Sequence, residues 1–370
     1  MFKSHGVSVP LAADAGEGIH CGRNQLKNGP VSTTSTTDFR TSMIDTTHDE
    51  KTLALPGGRT LAYATSGSAS STTVLLYLHG AFTVGETSRV SRTLASKNVH
   101  HVCPTLPGWG NTSPPSRSTS YVDTLTGDMT VLLDHLYPER GRDIKLYVSG
   151  GSFGTVPAQI LYGVPYDKFP YGRCIIGVLL LGSLTPFRYH TDYAKHMSWK
   201  NYLLAGPITQ WFPFNRLFVD LVKFAMAKKM STVDNAETLL RQSIFDKMDE
   251  EEKDEFTRWR TKEGIAEGET ERRFAANAVR SVARSWEGFK LMPLVLHSDW
   301  GFRPDALDDE HSRPFVILVT SHGDKEAPEA WTQYLAATYK NTKVTTLHGG
   351  HISVLYHLED LWAEFLAGVE

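Results

Sequence analysis

The sequence predicts an α/β protein with a mostly parallel sheet flanked by helices and a helical insertion. Short apolar runs of strand length recur along the chain, a pattern typical of strands buried on both faces of a parallel sheet. Segments with helical spacing of apolar residues alternate with these runs, as parallel strands joined by crossover helices require. The predicted buried strands are Thr73–Leu78, Ile144–Val148, Ile175–Leu181, Phe315–Thr320 and Val344–Leu347.

The remaining elements follow the same order. Leu53–Ser66 indicates a hairpin with its turn at Pro56 to Gly58, and Val99–Cys103 is a weaker strand interrupted by two histidines. An amphipathic helix is expected over Thr119–Leu136, and a further helix is expected over Ile352–Leu366.

Three regions differ in composition and periodicity. Residues 1–50 are rich in Ser, Thr, Gly and Asp without periodicity, so we expect a flexible or loosely docked arm. Between residues 187 and 290 the alternation of strands and helices stops. We expect these residues to form a helical cap, because their apolar side chains need a surface and the carboxyl-terminal rim of the sheet offers one. The α/β core then comprises residues 51–186 and 291–370.

Composition limits the class of partner. The net charge is −3, from 38 basic and 41 acidic residues, and the two signs are interspersed, so we expect neither nucleic acid nor an anionic membrane as a partner. A small-molecule substrate remains. No apolar run approaches the about 18 residues of a membrane span, and the amino terminus does not resemble a signal peptide. Three separated cysteines indicate a reducing compartment, so a cytoplasmic location is predicted; the sequence does not indicate an oligomeric state.

The stretch Gly150-Gly151-Ser152-Phe153-Gly154 lies where a predicted strand must reverse into a helix. This context is typical of a nucleophile elbow, in which a serine sits in a strained turn above the sheet edge. Gly150 and Gly154 support the turn because no Cβ fits two residues before or after such a serine. Ser152 is therefore a candidate nucleophile.

A serine alcohol needs a base and a group that orients the base. Asp324 follows the strand Phe315–Thr320, and His351 follows the last strand behind two glycines. The chain order Ser152, Asp324, His351 is the order expected for a Ser, acid, His triad of this architecture.

Each triad assignment has an alternative. His348 could replace His351, and Asp324 could serve only as a helix cap, in which case Glu326 or Asp299 is the acid. The histidines at 348, 351 and 357 do not have metal-ligand spacing, so neither a metal nor a cofactor is predicted. Cys103 and Cys174 are expected to be small core residues.

An acyl-transfer intermediate carries an oxyanion that needs two hydrogen-bond donors. One is the backbone N–H of Phe153; the other is expected from the loop after the first buried strand, first from Ala81 and second from Phe82. His79 and Gly80 open this loop, and the His79 ring is expected to brace it.

With these residues the chain resembles the α/β-hydrolase superfamily, in particular its capped, epoxide-hydrolase-like branch, from Leu53 to the carboxyl terminus. His79-Gly80 is similar to the oxyanion loop of the family, and the segment Leu106 to Gly110 (LPGWG) is similar to its Pro-Gly-x-Gly loop. Epoxide hydrolases and haloalkane dehalogenases carry an Asp at the elbow, where this chain has Ser152. The resemblance implies a serine hydrolase.

The predicted function is hydrolysis, through an acyl-enzyme, of an ester, thioester, lactone or activated C–C bond in a bulky apolar small molecule. The aromatic residues of the insertion motivate this substrate class. A cyclase or lyase of the same fold, a ligand-binding receptor, and an amide or peptide hydrolase are the alternatives. The candidate pocket residues are Trp109, Tyr189, Trp211 and Phe212.

Overall fold

The computed structural model describes residues 50–139, 143–210 and 214–368. The predicted arm, except for Glu50, and the pocket candidates Trp211 and Phe212 lie outside the described residues.

Eight strands form one sheet in the order β1-β2-β4-β3-β5-β6-β7-β8. Strand β2 pairs antiparallel with β1 and with β4, and all other pairs are parallel. The predicted fold class is confirmed. The strands are β1 Lys51–Leu55, β2 Arg59–Ser66, β3 Thr73–Leu78, β4 His100–Pro104, β5 Lys145–Gly151, β6 Ile175–Leu181, β7 Phe315–Ser321 and β8 Thr342–Leu347.

The described helices alternate with the parallel strands, except that six of them, α4 to α9, lie between β6 and β7 in the segment expected to form a cap. The predicted helix at Ile352 begins later, because Ser353–His357 is a 3₁₀ turn. The helices are α1 Arg92–Ser96, α2 Tyr121–Leu136, α3 Thr155–Gly163, α4 Trp199–Ala205, α5 Phe214–Ala227, α6 Val233–Ser243, α7 Glu250–Lys262, α8 Glu269–Val282, α9 Glu287–His297, α10 Glu329–Thr338 and α11 Leu358–Ala367. None of the helices described is long and apolar enough to cross a bilayer.

Both faces of the sheet are covered. In β3, Val74, Leu76 and Leu78 belong to the core that includes α2, α3 and α10, whereas Leu75 belongs to the core that includes α1 and α11. Successive side chains of a strand point to opposite faces, which is why a strand buried on both sides is continuously apolar.

The parallel strands bring four loops to one edge of the sheet. The carboxyl ends of β3, β5, β7 and β8 are followed by the loops that carry His79, Ser152, Asp324 and His351. Ligand sites of open α/β sheets lie at this edge.

Candidate active site

Ser152 occupies a strained turn between β5 and α3. Its φ is 53°, in the left-handed region that a non-glycine residue rarely adopts. The flanking glycines make the turn possible. A Cβ on Gly150 would lie 2.2 Å from the Gly154 carbonyl oxygen, and a Cβ on Gly154 would lie 2.0 Å from the Leu78 carbonyl oxygen. Ser152 therefore has a left-handed backbone conformation that a serine does not favour by itself and that the surrounding packing maintains.

His351 and Asp324 form a hydrogen-bonded pair. His351 Nδ1 lies 2.7 Å from Asp324 Oδ2, and Asp324 Oδ1 accepts the backbone N–H groups of Glu326 at 2.8 Å and Ala327 at 2.9 Å. Both carboxylate oxygens accept hydrogen bonds, so Nδ1 of His351 carries the proton that it donates. Nε2 of His351 is then left as the unprotonated nitrogen of the neutral ring.

The surroundings of His351 favour its charged form. Burial alone would lower the pKa of His351, but the charge of Asp324 and the hydrogen bond to it act in the opposite direction and raise the pKa above its usual value, with a smaller contribution from Glu326. An imidazolium formed at His351 is therefore stabilised by the protein.

The loop after β3 is braced by His79, which is almost completely buried. His79 Nε2 accepts the Leu106 N–H at 2.8 Å, so Nδ1 carries the hydrogen and donates it to the Gly80 carbonyl oxygen at 2.8 Å. Thr83 Oγ1 donates to the same oxygen. Burial lowers the pKa of His79 to about 4, so the ring stays neutral and acts as a structural link.

This loop lies directly beside the elbow. A Cβ on Gly80 would be 3.2 Å from the Gly151 carbonyl oxygen and 3.3 Å from the Ser152 Cβ. Phe82 has a φ of 55°, and both Ala81 and Phe82 line the same cavity as Ser152. The backbone of the loop is therefore close enough to Ser152 to donate a hydrogen bond to a group that reacts there.

A cavity of about 580 Å³ joins these parts. Ser152, Phe153 and His351 line it, together with apolar side chains of α4, α5, α8 and α9 and of their connections. The volume lies within the range of small-molecule sites. Lining residues from α4 to α9 and the segment just before α4 include Met197, Leu204, Val219, Phe274, Phe289 and Met292.

Comparison with known proteins identifies the family of this chain. Residues 75–367 match the alpha/beta hydrolase family. The chain belongs to the alpha/beta hydrolase family. No curated protein matches it in sequence.

Solved structures share the fold of this hydrolase. An esterase from Exiguobacterium antarcticum has a TM-score of 0.52 at 12% identity, covering 86% of this chain and 98% of its own. An alpha/beta hydrolase fold protein from Nakamurella multipartita has a TM-score of 0.53 at 16% identity, with the same coverage. A hydrolase from Pseudomonas aeruginosa has a TM-score of 0.50 at 16% identity, again covering 86% and 98%.

Two predicted pocket residues of the hydrolase lie elsewhere. Trp109 is 1% exposed and packs edge-to-face under Phe82, with ring centroids 5.5 Å apart, because the apolar core beneath the loop takes up its ring. Tyr189 lies beside Asp299 and under the guanidinium of Arg303. Neither is in the cavity wall, so the pocket prediction is corrected for both residues.

Of the alternative triad residues, His348 and Asp299 have other partners than the His351–Asp324 pair, whereas Glu326 lies near it. His348 is exposed beside Asp249, and Asp299 accepts the Gly301 N–H. Glu326 does line the cavity. Within the described residues, no three His, Cys, Asp or Glu side chains are grouped as metal ligands would be.

The hydrolase also places polar groups in the cavity wall that the sequence analysis missed. Asn277 Oδ1 accepts the Val84 N–H at 2.7 Å, which ties α8 to the loop after β3. Arg273, one turn earlier on α8, faces the cavity together with Glu86, and burial lowers the pKa of the Arg273 guanidinium. The signal in the sequence was the spacing of Arg273 and Asn277 at i and i+4, which places both polar side chains on one face of α8.

Proposed function

We propose that this hydrolase cleaves carboxylic esters that carry a bulky apolar group, through an acyl-enzyme on Ser152. The observation that carries the proposal is that His351, hydrogen-bonded to Asp324 at 2.7 Å, lines the same cavity as a serine whose φ is 53°. The same acyl-enzyme mechanism can also cleave thioesters, lactones and activated C–C bonds.

In the first half of the reaction, His351 Nε2 takes the proton of Ser152 Oγ as the oxygen attacks the ester carbonyl carbon. Asp324 holds the ring in the tautomer that leaves Nε2 free and stabilises the imidazolium. The oxyanion receives hydrogen bonds from the backbone N–H groups of Phe153 and Ala81.

The tetrahedral intermediate then collapses. His351 returns the proton to the leaving alkoxide, the alcohol departs, and the acyl group stays on Ser152. A water molecule gives its proton to His351 and attacks the acyl carbon, and the acid leaves as the proton returns to Ser152. Every proton is thus carried by one imidazole.

The cavity wall supports the substrate class. Apolar side chains of α4, α5, α8 and α9 line the same cavity as Ser152, so an apolar acyl or alkyl group is removed from water when it binds there. We expect about 0.8 kcal/mol of binding for each methylene that is buried there. In this proposal the inserted helices act as the cap that selects the substrate.

A fluorophosphonate probe tests the nucleophile. The wild-type protein is expected to be labelled, and Ser152→Ala is expected to lose the label. Ser88→Ala is the matched control, because Ser88 also lines the cavity and should leave labelling unchanged. Absence of label in the wild type, or equal labelling of Ser152→Ala, would exclude the proposal.

Turnover in heavy-oxygen water separates hydrolysis from the cyclase and lyase alternatives. Only hydrolysis places the label in the acid product, as mass spectrometry of that product would show. Turnover of an ester without incorporation contradicts the hydrolytic route.

A further inference from the structure

The exposed apolar side chains of this hydrolase are concentrated on one set of helices. Eight large hydrophobic residues are exposed in the part of the chain that the structure describes, and six of them lie on α4, α5 or α9. The six are Trp199, Tyr202, Leu217, Leu221, Phe224 and Leu294. Scattered single hydrophobics are normal on a protein surface, but a concentration of this kind indicates a binding face.

Helix α5 presents the clearest stripe. Leu217, Leu221 and Phe224 stand at i, i+4 and i+7, on one face of the helix, and are 70%, 63% and 82% exposed. Val219, by contrast, is buried and lines the cavity. The helix is therefore apolar on both sides, and packing against the core accounts for only one of them.

Basic residues accompany the stripe. Residues 195–230 contain six basic residues and one acidic residue, a net charge of +5, in a chain whose total is −3. The acidic residue, Asp220, is paired with Lys290 at 2.9 Å. Lys228 and Lys229 are exposed directly after α5, and Lys200 is exposed next to Trp199 on α4. Helices α4 and α5, which carry five of the six exposed hydrophobics, thus belong to a positive part of the chain, whereas α9 carries one Glu and one Lys.

We propose that α4, α5 and α9 form a surface that binds a lipid bilayer containing anionic phospholipid. The stripe of α5 would lie at the boundary between headgroups and acyl chains, with the lysines at the phosphates, as amphipathic helices with basic polar flanks do. A second copy of the chain fits the surface less well, because two patches of the same positive charge would repel each other and lysine is depleted at protein interfaces. Lipid binding does not depend on the chemistry assigned to Ser152.

The test is co-sedimentation of the full chain with vesicles of phosphatidylcholine alone and of phosphatidylcholine mixed with phosphatidylserine. The wild type should bind the mixed vesicles, and its affinity should fall as salt is added. Leu221→Asp combined with Phe224→Asp should lower the affinity on the order of 100-fold, since two side chains lose their burial. Lys228→Gln and Lys229→Gln should each lower it about fivefold.

Matched controls come from equally exposed residues elsewhere. Val90→Asp removes an exposed hydrophobic residue outside α4, α5 and α9, and Lys247→Gln with Lys262→Gln removes two exposed charges from other segments. These variants should bind vesicles like the wild type. All variants should keep the circular dichroism spectrum of the wild type and its rate on a water-soluble ester, which separates lost lipid binding from lost folding or lost catalysis.

Three results would overturn the proposal. The first is no binding of the wild type to the mixed vesicles. The second is an equal loss of binding in Val90→Asp. The third is a wild-type dimer that becomes a monomer in the Leu221 and Phe224 variant without any lipid binding, which would assign the surface to a second copy of the chain.

Discussion

The substitution Asp324→Asn tests the assigned roles of both the acid and the base, because the structure determines how the new amide must sit. Asp324 Oδ1 accepts two backbone N–H groups, from Glu326 and Ala327, and a side-chain NH₂ cannot replace an oxygen there. The amide oxygen of the Asn therefore stays at that position, and its NH₂ faces His351 Nδ1. Since two donors cannot face each other, the His351 proton moves to Nε2, which can then no longer accept the Ser152 proton.

The expected loss in kcat/KM is about 10⁴-fold, the cost of the wrong tautomer in a triad of this kind. That factor corresponds to about 5 kcal/mol of transition-state stabilisation. The rate with a p-nitrophenyl ester, measured under saturating and dilute substrate, gives both kcat and kcat/KM.

The pH profile provides a second readout. In the wild type the pKa of His351 is raised, so kcat/KM should rise with pH through a midpoint above 6.5, as the ring loses its proton. Without the carboxylate, the lowering effect of burial on the His351 pKa is opposed only by the smaller contribution of Glu326. The acidic limb of the residual activity should therefore shift to lower pH.

Asp299→Asn is the matched control, because Asp299 was an alternative acid and bonds Gly301 instead of His351. It should retain full activity and the wild-type pH profile. The reasoning is refuted if Asp324→Asn keeps more than about a tenth of the wild-type kcat/KM, or if its acidic limb does not move.

Three further predictions concern residues that stabilise the turn at Ser152, the loop after β3 and the core of the sheet. Gly154→Ala should prevent or severely weaken folding, because its Cβ would lie 2.0 Å from the last carbonyl oxygen of β3; the yield of soluble protein and its thermal midpoint check this. His79→Leu leaves the buried N–H of Leu106 without its acceptor and should cost about 1–3 kcal/mol in urea unfolding, together with a lower kcat; unchanged stability would contradict the bracing role. Arg59→Met removes both hydrogen bonds of 2.6 and 2.7 Å to the buried Asp128 and should cost about 3–5 kcal/mol at neutral pH. Burial raises the pKa of Asp128 against the opposing effect of Arg59, and the loss of Arg59 should raise it further, so the deficit in unfolding free energy should shrink as the pH falls and the carboxyl becomes protonated.

The sheet and the positions of the loops could be predicted because they depend on local patterns. A strand buried on both faces is continuously apolar, as β3 and β6 are, and glycine at 150 and 154 marks a backbone approach that no other residue allows. The elbow, the acid and the base each follow a strand, so the topology alone brings them to one edge.

The cavity wall could not be predicted in the same way. Trp109 resembles a pocket residue in the sequence, but whether an aromatic side chain enters a cavity or the core depends on packing between distant segments, and here it lies under Phe82. The expectation that no anionic membrane would be a partner rested on the total charge and on the interspersion of acidic and basic residues along the chain. A total of −3 conceals a segment of +5, because opposite charges elsewhere in the chain cancel it.

The bond from Val84 to Asn277 has a consequence for engineering. Two further backbone hydrogen bonds, Gly110 N to Ser281 O at 2.8 Å and Gly288 N to Gly108 O at 2.9 Å, also join α8 and α9 to loops of the core. A chimera that exchanges the whole insertion at residue 290 would cut these attachments and leave the loop beside Ser152 without its outer support. The better place to join donor and recipient is the connection between α7 and α8. The donor then supplies only the helices before it, and the recipient keeps the hydrogen bonds that hold the loop after β3.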